Sequence, residues 1–478
     1  MGGRIAVVGA GVGGLATAAR LARRGFSVDV FEKLSSPGGR NNILEDRGFK
    51  FDTGPSFVLM PDLFEEVFTD CGVDIKDYLD LKALDPSYKI FYPDGDAITV
   101  YRDSEMTRRE LEKIEKGASA GFGKFIAETG KIYRKVRPLF YRCFTPLTLA
   151  NPYYWFLVKD LRVFESYWQL ARRFFRSEKL CYAFTFEAMF IGVSPFSAPA
   201  FYSIITYTDH VQKIYHPMGG MYRIPLALEG LAAKSGARFH YSREVKNITP
   251  RDNGMTLDFG DGELGFEKVV VNADYPYAQT ALLGRRIPDY QYSCSVYLLY
   301  LGLKRRVEAL AHHNLFFSSD LKNNLKQIFR DKVEPEDPSF YVHVPTVTDP
   351  SLAPEGKSIF YILVPVSNLK GNRDDILQYE SRLRKTVFEK INRVAGVKLE
   401  DLIEVEHRFY PQDFIGRYNI KYGATFSLAH NLTQSAFLRP ANFDNRIKGL
   451  YYVGASTQPG GGLPVVIAGS RIVADLIS

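Results

Sequence analysis

The first 32 residues follow the order of apolar and amphipathic segments that is typical of a β–α–β unit. Residues 4–9 are almost entirely apolar, as in a buried parallel strand. Residues 13–24 have helical periodicity and are followed by Gly25, a residue that commonly ends helices. Residues 27–32 again have the pattern of a short strand. The chain is therefore predicted to contain a parallel sheet that includes these two strands.

Later segments predict a second sheet and a helical region. Residues 105–240 are mostly helical in pattern and are the most aromatic part of the chain. Asp-Gly steps at 94–95 and 261–262 join strand-like runs at 88–101 and 255–272, as in tight hairpins. The remaining predicted elements are strands at 292–303, 339–347, 358–366 and 450–453, and helices near 374–394 and 464–477.

Composition places the chain among globular proteins and excludes several functional classes. Of its 478 residues, 46% are hydrophobic and 24% are charged, so it can bury a large core. The net charge of +7 is not concentrated in a nucleic-acid-binding motif. The four cysteines form no CxxC pair, which predicts no metal site and favours a reduced, cytoplasmic setting. No apolar stretch reaches the roughly 18 residues that a membrane-spanning helix needs.

A glycine motif lies between the first strand and the first helix. Gly9, Gly11 and Gly14 have GxGxxG spacing, which permits a tight turn, close approach of a pyrophosphate and close helix–strand packing, in that order. The free N–H groups at a helix N-terminus favour an anion. Glu32 ends the second strand, where a carboxylate can bind ribose hydroxyls. Together these residues predict a dinucleotide site.

Two further glycine segments indicate which dinucleotide is bound. Gly38-Gly39-Arg40 follows Glu32, and a planar guanidinium can pair with two phosphate oxygens at once. Such a segment occurs in two-domain FAD oxidoreductases, where the arginine contacts the cofactor phosphates. Residues 454–464 (GASTQPGGGLP) lead into the last predicted helix and offer a second set of free N–H groups. We therefore expect FAD between the N-terminal motif and the C-terminal loop.

Longer segments carry a resemblance to one family of flavoproteins. These segments are GAGVGGL (9–15), FEK..SPGGR (31–40), GFKFDTGPS (48–56), MPDLFEEVF (60–68), HPMGGMYRIP (216–225), NAD (272–274), YSCS (292–295), LAHHN (310–314), DPSLAPEGK (349–357), LTQSAFLRPAN (432–442) and LYYVGASTQPGGGLP (450–464). The chain resembles the carotenoid desaturases, namely bacterial phytoene desaturases and dehydrosqualene (diapophytoene) desaturases. The likeness covers essentially the whole length, and its central and C-terminal segments are far more specific than the glycine fingerprint.

The resemblance implies a set of FAD contacts. They fall on Gly9, Gly11, Gly14, Glu32, Gly39, Arg40, Gly54, Pro55, Val245, Asp274, Gly454, Gly462, Val465 and Val466. Two positions depart from the family pattern. Gln458 stands where these enzymes commonly carry His, and residues 212–216 replace a stretch that is often richer in aromatic and small residues. Both departures leave the exact substrate open.

The expected fold is α/β, with a Rossmann-type FAD-binding domain, an inserted α+β substrate domain and a helical, membrane-contacting subdomain. The FAD-binding domain is expected to be discontinuous, because its signals lie at both ends and near the middle of the chain. The expected boundaries are 1–85, 216–285 and 441–478 for the FAD-binding domain, 86–104 (a hairpin) and 286–440 for the substrate domain, and 105–215 for the helical subdomain.

Basic and aromatic residues lie close together in the helical region. Residues 131–144 contain five basic residues and no acid, and an aromatic cluster follows at 153–156. This combination suits a leaflet surface, although a buried subdomain with solvated edges is the alternative. Because a C30 or C40 polyene is insoluble in water, we expect peripheral, monotopic attachment to the inner face of the cell membrane. Charge reversal at Arg134, Lys135 and Arg137 is then expected to weaken binding to anionic liposomes.

The resemblance implies FAD-dependent desaturation of phytoene or diapophytoene. The flavin would take a hydride while the neighbouring carbon loses a proton, and the electrons would pass on to oxygen or a quinone. His210, His216 and His343 are weak candidates for the proton acceptor. The alternatives left open are a carotenoid oxygenase that forms terminal aldehydes, a carotenoid isomerase, and a desaturase of hydroxylated carotenoids. A non-catalytic escort protein for prenylated GTPases would be expected to have a degraded FAD fingerprint, whereas here it is intact.

Overall fold

The computed structural model describes residues 3–372 and 376–478. The strands are β1 (Arg4–Val8), β2 (Ser27–Phe31), β3 (Ile43–Asp46), β4 (Phe49–Asp52), β5 (Leu81–Ala83), β6 (Tyr88–Phe91), β7 (Ala97–Val100), β8 (Tyr215–Pro217), β9 (Arg238–His240), β10 (Asn247–Arg251), β11 (Gly254–Asp258), β12 (Glu263–Phe266), β13 (Lys268–Val271), β14 (Ser295–Leu303), β15 (His313–Phe316), β16 (Phe340–His343), β17 (Ser358–Val366), β18 (Ile403–Phe409) and β19 (Leu450–Tyr452). The α-helices are α1 (Val12–Arg23), α2 (Pro61–Asp70), α3 (Ser104–Ile114), α4 (Ala118–Val136), α5 (Pro152–Asp160), α6 (Tyr167–Arg172), α7 (Glu178–Ala183), α8 (Ile204–Tyr207), α9 (Arg223–Lys234), α10 (Tyr275–Tyr277), α11 (Leu321–Lys326), α12 (Ile376–Ala395), α13 (Leu399–Leu402), α14 (Pro411–Tyr418) and α15 (Leu463–Ile477).

A five-stranded parallel sheet has the order β19-β13-β1-β2-β9. Its central strand β1 is buried and apolar from Ile5 to Val8, with Val7 in register between Val30 and Val270. Helix α1 packs against α9 and α15. Parallel strands with covering helices of this kind are the Rossmann-type arrangement, which confirms the predicted fold class. The strands come from three separate stretches of the chain, and the domain boundaries stay a prediction.

The second sheet has seven strands in the order β18-β14-β17-β16-β15-β6-β7. Every residue of β14 is buried, and its long antiparallel pairing with β17 and β18 forms the centre of this layer. The predicted 88–101 hairpin is β6–β7, and it joins this sheet through a parallel pairing with β15. The strand predicted at 339–347 stops at His343, because a 3-10 helix begins at Pro345.

The helical region is less regular than its periodicity predicts. Helix α4 ends at Val136, and a 3-10 helix with Pro138 in its first turn follows. Between there and β8 the chain forms short helices, and their aromatic side chains share one core with α4. The helix predicted near 374–394 is α12, and residues 374 and 375 lie outside the described part of the chain. In the described ranges, no helix has both the length and the apolar character needed to cross a membrane.

Candidate active site

A cavity of about 850 Å³ extends from the first turn of α1 to the helical region. One end is lined by the N-termini of α1 and α15, and the other by aromatic and aliphatic side chains. Of the predicted cofactor contacts, Gly9, Gly11, Glu32, Gly39, Arg40, Gly54, Pro55, Val245, Asp274, Gly454, Gly462, Val465 and Val466 all line this cavity. Gly14 does not. The structure thus brings together residues from both ends and the middle of the sequence.

The glycines of the first turn make room for Asn272. A Cβ on Gly11 would lie 2.6 Å from the Asn272 Oδ1 atom, and one on Gly14 would lie 2.2 Å from the Gly9 carbonyl oxygen. The Asn272 side chain donates to the Val453 carbonyl oxygen at 2.9 Å, which ties β13 to the end of β19. The GxGxxG spacing predicts that Gly11 allows close approach of a pyrophosphate, whereas in the structure the space of its missing Cβ is taken up by the Asn272 side chain. Asn272 begins the NAD segment (272–274) that carries the resemblance, but the sequence predicted no role for its side chain.

Glu32 lies at the cavity edge with its carboxylate buried. Its two oxygens accept N–H groups from Ala10 at 2.8 Å and Leu34 at 2.9 Å. Burial raises the pKa of Glu32, and these hydrogen bonds oppose the shift. The contact with Ala10 fixes the carboxylate beside the first turn of α1, the position required of an acid that binds ribose hydroxyls.

Arg40 places a positive charge in the cavity, and no carboxylate of the described residues forms an ion pair with it. Its guanidinium donates to the Thr425 carbonyl oxygen at 2.6 Å and to the Ser427 hydroxyl at 3.2 Å, and both acceptors are uncharged. Burial lowers the pKa of Arg40, and nearby Asp274 opposes this shift. Asp274 accepts the Ser456 hydroxyl at 2.9 Å, and burial raises its pKa. A buried guanidinium with neutral partners suits a bound anion such as a pyrophosphate.

The loop before α15 forms the opposite wall. Gly462 has φ +99°, precedes the helix and provides no side-chain cap, and the first turn contains no acid. Helix α1 likewise lacks a side-chain cap and an acid in its first turn. Both helices therefore present uncapped N–H groups to the cavity, and both favour negative charge there.

Two buried residues that the sequence did not single out hold this loop in place. Arg439 donates to the carbonyl oxygens of Thr457 at 3.1 Å and Ala455, and also to those of Leu428, Ala429 and Gln434. Burial lowers the pKa of Arg439 to about 10. His430 Nε2 accepts the Gly461 N–H at 2.8 Å, and burial lowers its pKa well below the usual range. His430 is thus an uncharged ring that lines the cavity.

Gln458, the position that departs from the family pattern, links the loop to the helical region. Its Oε1 accepts the Phe144 N–H at 2.5 Å, and its Nε2 donates to the Phe144 carbonyl oxygen at 2.9 Å. An amide can satisfy both backbone groups at once because it carries an acceptor and a donor side by side. Gln458 therefore positions the chain where the cofactor end of the cavity meets the apolar end.

The apolar end of the cavity opens toward exposed hydrophobic side chains. The wall includes Phe140, Phe144, Leu157, Leu161, Phe190 and Phe201. Beyond it lies an outer apolar patch, which we define as Leu147, Tyr153, Trp155, Phe156 and Phe164 and which is 56% to 83% exposed. Phe164 belongs to both the patch and the cavity wall. A clustered exposed apolar surface of this kind marks an interaction site.

The basic residues of the helical region are partly committed to ion pairs. Arg137 donates to Asp62 at 2.7 Å and to Glu66 at 2.9 Å, which ties the end of α4 to α2. Lys135 pairs with Asp160. Reversing the charge of Arg137 would therefore break an intramolecular contact, so the exposed apolar patch is the better target for testing membrane contact.

The three histidines considered as proton acceptors lie outside the residues that line the cavity. His210 contacts the Tyr88 hydroxyl at 3.2 Å, and burial lowers its pKa to about 3. His216 and His343 belong to a separate buried cluster on β8 and β16. Their assignment as acid–base residues stays a prediction, and His430 is the histidine that the structure places along the cavity.

The donor set fits FAD. Two uncapped helix N-termini and the Arg40 guanidinium supply the contacts that a pyrophosphate needs, and Glu32 supplies a carboxylate for a ribose. Gly39 has φ +57°, and a Cβ added there would lie 3.4 Å from the Gly11 Cα. A Cβ added at Gly462 would meet no atom of the described residues within 4 Å. The cradle is therefore made mainly of backbone, as close contact with a large planar cofactor requires.

Comparison with known proteins gives consistent results. Residues 12–478 match the model of the family described as flavin containing amine oxidoreductase. The zeta-carotene-forming phytoene desaturase of Myxococcus xanthus is 42% identical over 99% of this chain and 93% of that protein. The 4,4'-diaponeurosporene-forming 4,4'-diapophytoene desaturase of Staphylococcus haemolyticus is 34% identical over 98% of each chain. An oxidoreductase structure from Methanosarcina mazei has a TM-score of 0.66 at 16% identity, covering 99% of this chain and all of that one, which supports the fold.

Proposed function

This chain belongs to the flavin containing amine oxidoreductase family, binds FAD and is an oxidoreductase, and we propose that it desaturates an acyclic C30 or C40 carotenoid precursor. The observation that carries the proposal is the shape and chemistry of one cavity. Its polar end suits FAD, and its apolar end reaches an exposed hydrophobic surface from which a hydrocarbon can enter. The relatives named as phytoene and diapophytoene desaturases support the same substrate class.

The chemistry of the redox step belongs to the cofactor, and the protein supplies binding, orientation and a dry site. When bound, FAD supplies the acceptor for a hydride from one substrate carbon, while the neighbouring carbon loses a proton. Gly9, Gly39, Arg40, Gly454 and Gly462 would hold FAD, together with the other predicted contacts that line the cavity. Oxygen or a quinone would then take up the electrons.

The apolar wall has two tasks in this proposal. Rings such as Phe140, Phe190 and Phe201 exclude water from the space beside the loop that precedes α15. They also confine a flexible polyene to an extended path, so that one carbon pair at a time reaches the reacting position. A hydrocarbon offers no polar group for recognition, so the shape of this wall must select the substrate.

We propose that the substrate enters from a membrane through the outer apolar patch. Trp155 and Phe156 on α5 are 62% and 73% exposed, and Leu157 and Val158 on the same helix line the cavity. A helix that is apolar on both sides can lie in the headgroup boundary and pass a lipid-dissolved molecule inward. We propose that this attachment is peripheral and monotopic, on the cytoplasmic leaflet.

The domain division proposed with this function keeps the boundaries given above. The strands of the parallel sheet fall in the three stretches 1–85, 216–285 and 441–478. The seven-stranded sheet draws its strands from 86–104 and 286–440, and the cluster of short helices comes from 105–215. This division supports separate roles for cofactor, substrate and membrane contact.

The test is an anaerobic incubation of the FAD-loaded protein with phytoene or diapophytoene in liposomes. We expect the flavin absorbance to bleach and new visible bands of a longer conjugated polyene to form, without a carbonyl group in the product. Liposomes that carry a saturated C30 hydrocarbon are the matched control and should leave the flavin oxidised. A terminal aldehyde would instead indicate an oxygenase, and a geometric isomer formed without a change in hydrogen content would indicate an isomerase.

A further inference from the structure

Three histidine rings from distant parts of the chain meet outside the cavity. We propose that His216, His312 and His343 form a buried Zn²⁺ site that joins β8 to the seven-stranded sheet. His216 is on β8, His312 directly precedes β15, and His343 ends β16. One possible ligand atom from each residue lies within 4.8 Å of those of the other two. All three residues are buried, with at most 2% of each exposed.

The ring geometry is close to that of a three-histidine site. The Nε2 atoms of His312 and His343 are 2.9 Å apart, and the His216 and His312 ring centroids are 4.8 Å apart. Tetrahedral zinc with Zn–N distances near 2.1 Å places its ligand nitrogens about 3.4 Å apart. To admit the ion, the His312 and His343 nitrogens would move slightly apart, and the His216 nitrogen, which lies within 4.8 Å of both, would take the third position. The fourth position would hold water.

His216 gives a second, independent reason for a ligand at this position. The Nε2 atom of His216 lies 3.5 Å from Asp349 Oδ2, within ion-pair distance. Its Nδ1 atom has no hydrogen-bond partner among the described residues, although His216 is fully buried. A buried imidazole with an unused nitrogen is unfavourable unless something binds it, and a metal ion would satisfy it.

The surrounding residues have the arrangement that supports metal-binding histidines. The Nδ1 atom of His312 is 2.7 Å from the Thr348 hydroxyl, which turns Nε2 toward the other rings. Asp349, beside His216, is itself held by the Gly219 N–H at 2.5 Å and by Ser351. Such outer contacts fix the orientation of the ligating ring.

The test is the zinc content of the FAD-loaded protein expressed with added zinc and then dialysed. We expect roughly one zinc ion per chain in the wild type. His312→Gln and His343→Gln should each lose most of the bound zinc. His407→Gln is the matched control, because His407 is a partly exposed histidine on β18 that pairs with Asp46 at 2.8 Å. The control should keep its zinc.

If the variants fail to fold, wild-type protein loaded with cobalt in place of zinc tests the same site. Cobalt bound by three histidines and a water in tetrahedral geometry should give intense visible bands beyond the flavin absorbance, and removing it should lower the melting temperature. A wild type without zinc after zinc-supplemented expression would refute the site. Zinc retained in both variants, or cobalt without tetrahedral bands, would refute it as well. None of these measurements depends on which hydrocarbon the enzyme uses.

Discussion

The two ends of the cavity are built by opposite means. At the cofactor end the wall is mostly backbone, and a Cβ on Gly54 would lie 1.9 Å from the Arg40 carbonyl oxygen. Gly14 does not line the cavity, but it too leaves no space for a Cβ, because the Gly9 carbonyl oxygen lies in the way. At the substrate end the wall consists of side chains such as Phe140 and Phe190, held by a core of other aromatic rings. A backbone wall tolerates almost no added atom, whereas a side-chain wall tolerates swaps that keep volume and apolarity. The cofactor end should therefore fail abruptly on mutation, and the substrate end gradually.

The largest expected effect is at Gly14. In Gly14→Ala the new Cβ would meet the Gly9 carbonyl oxygen at 2.2 Å, so the first turn of α1 must shift away from its position at the cavity. We expect bound FAD to fall by roughly tenfold or more, since overpacking here displaces backbone. The measurement is the flavin absorbance per purified chain.

Gly230→Ala is the matched control for Gly14→Ala. Gly230 lies on α9, where a Cβ would meet nothing within 4 Å. There the substitution should leave FAD content unchanged and raise stability by about 0.5–1 kcal/mol through helix propensity. Full FAD occupancy in Gly14→Ala would contradict the idea of a backbone-built cofactor end.

A smaller effect is expected at Arg40. Arg40→Met keeps the aliphatic volume and removes a charge whose hydrogen-bond acceptors in the described residues are both uncharged, so we expect the main loss to fall on the bound anion. A charge-assisted contact of about 1.5–3 kcal/mol corresponds to an FAD affinity roughly 10 to 100 times weaker. Titration of apoprotein with FAD measures this. Arg382→Met, an exposed arginine on α12, should bind FAD as the wild type does.

Changes at the outer apolar patch should have the smallest effect on FAD binding. They therefore test whether the substrate end of the cavity acts independently of the cofactor end. The double change Trp155→Ser with Phe156→Ser removes two exposed rings from α5. We expect liposome binding to weaken on the order of tenfold, because each ring contributes part of its transfer free energy on insertion. FAD content should stay unchanged.

Val347→Ser is the control for the patch, because Val347 is 54% exposed on a 3-10 helix outside the patch. Liposome sedimentation of all three proteins gives the comparison. Equal binding by the double variant and the wild type would remove α5 as the membrane contact, whereas loss of FAD would show that the two ends of the cavity are coupled.

Elements with strong local patterns were predictable from the sequence. The predicted strand 4–9, helix 13–24 and strand 27–32 correspond to β1, α1 and β2 within one residue at each end. Periodicity specifies such elements because each buries one continuous apolar face. The short helices between Val136 and β8 were less predictable, since proline and tertiary packing break the helical pattern there.

Within the candidate site, the sequence predicted the residues of the glycine and arginine motifs. It did not predict the residues that hold the loops of the site in position. Gly9, Glu32 and Arg40 stand in recognisable local contexts, and the structure places all three along the cavity. Arg439 lies in a segment that carries the resemblance, but neither its role nor that of His430 was predictable, because their partners are carbonyl and N–H groups that folding brings to them. His216 and His343 show the same limit, since their shared cluster with His312 depends on three strands meeting.

The sequence by itself determined the parallel α/β fold and the FAD-binding family, because glycine spacing and apolar periodicity are local and act through backbone conformation. Only the tertiary structure decided which side chains face one cavity, that Asn272 fills the space beside Gly11, and that three histidines meet outside it. Those contacts join residues far apart in the chain. Their energies depend on the packing of the whole molecule, which no short segment encodes.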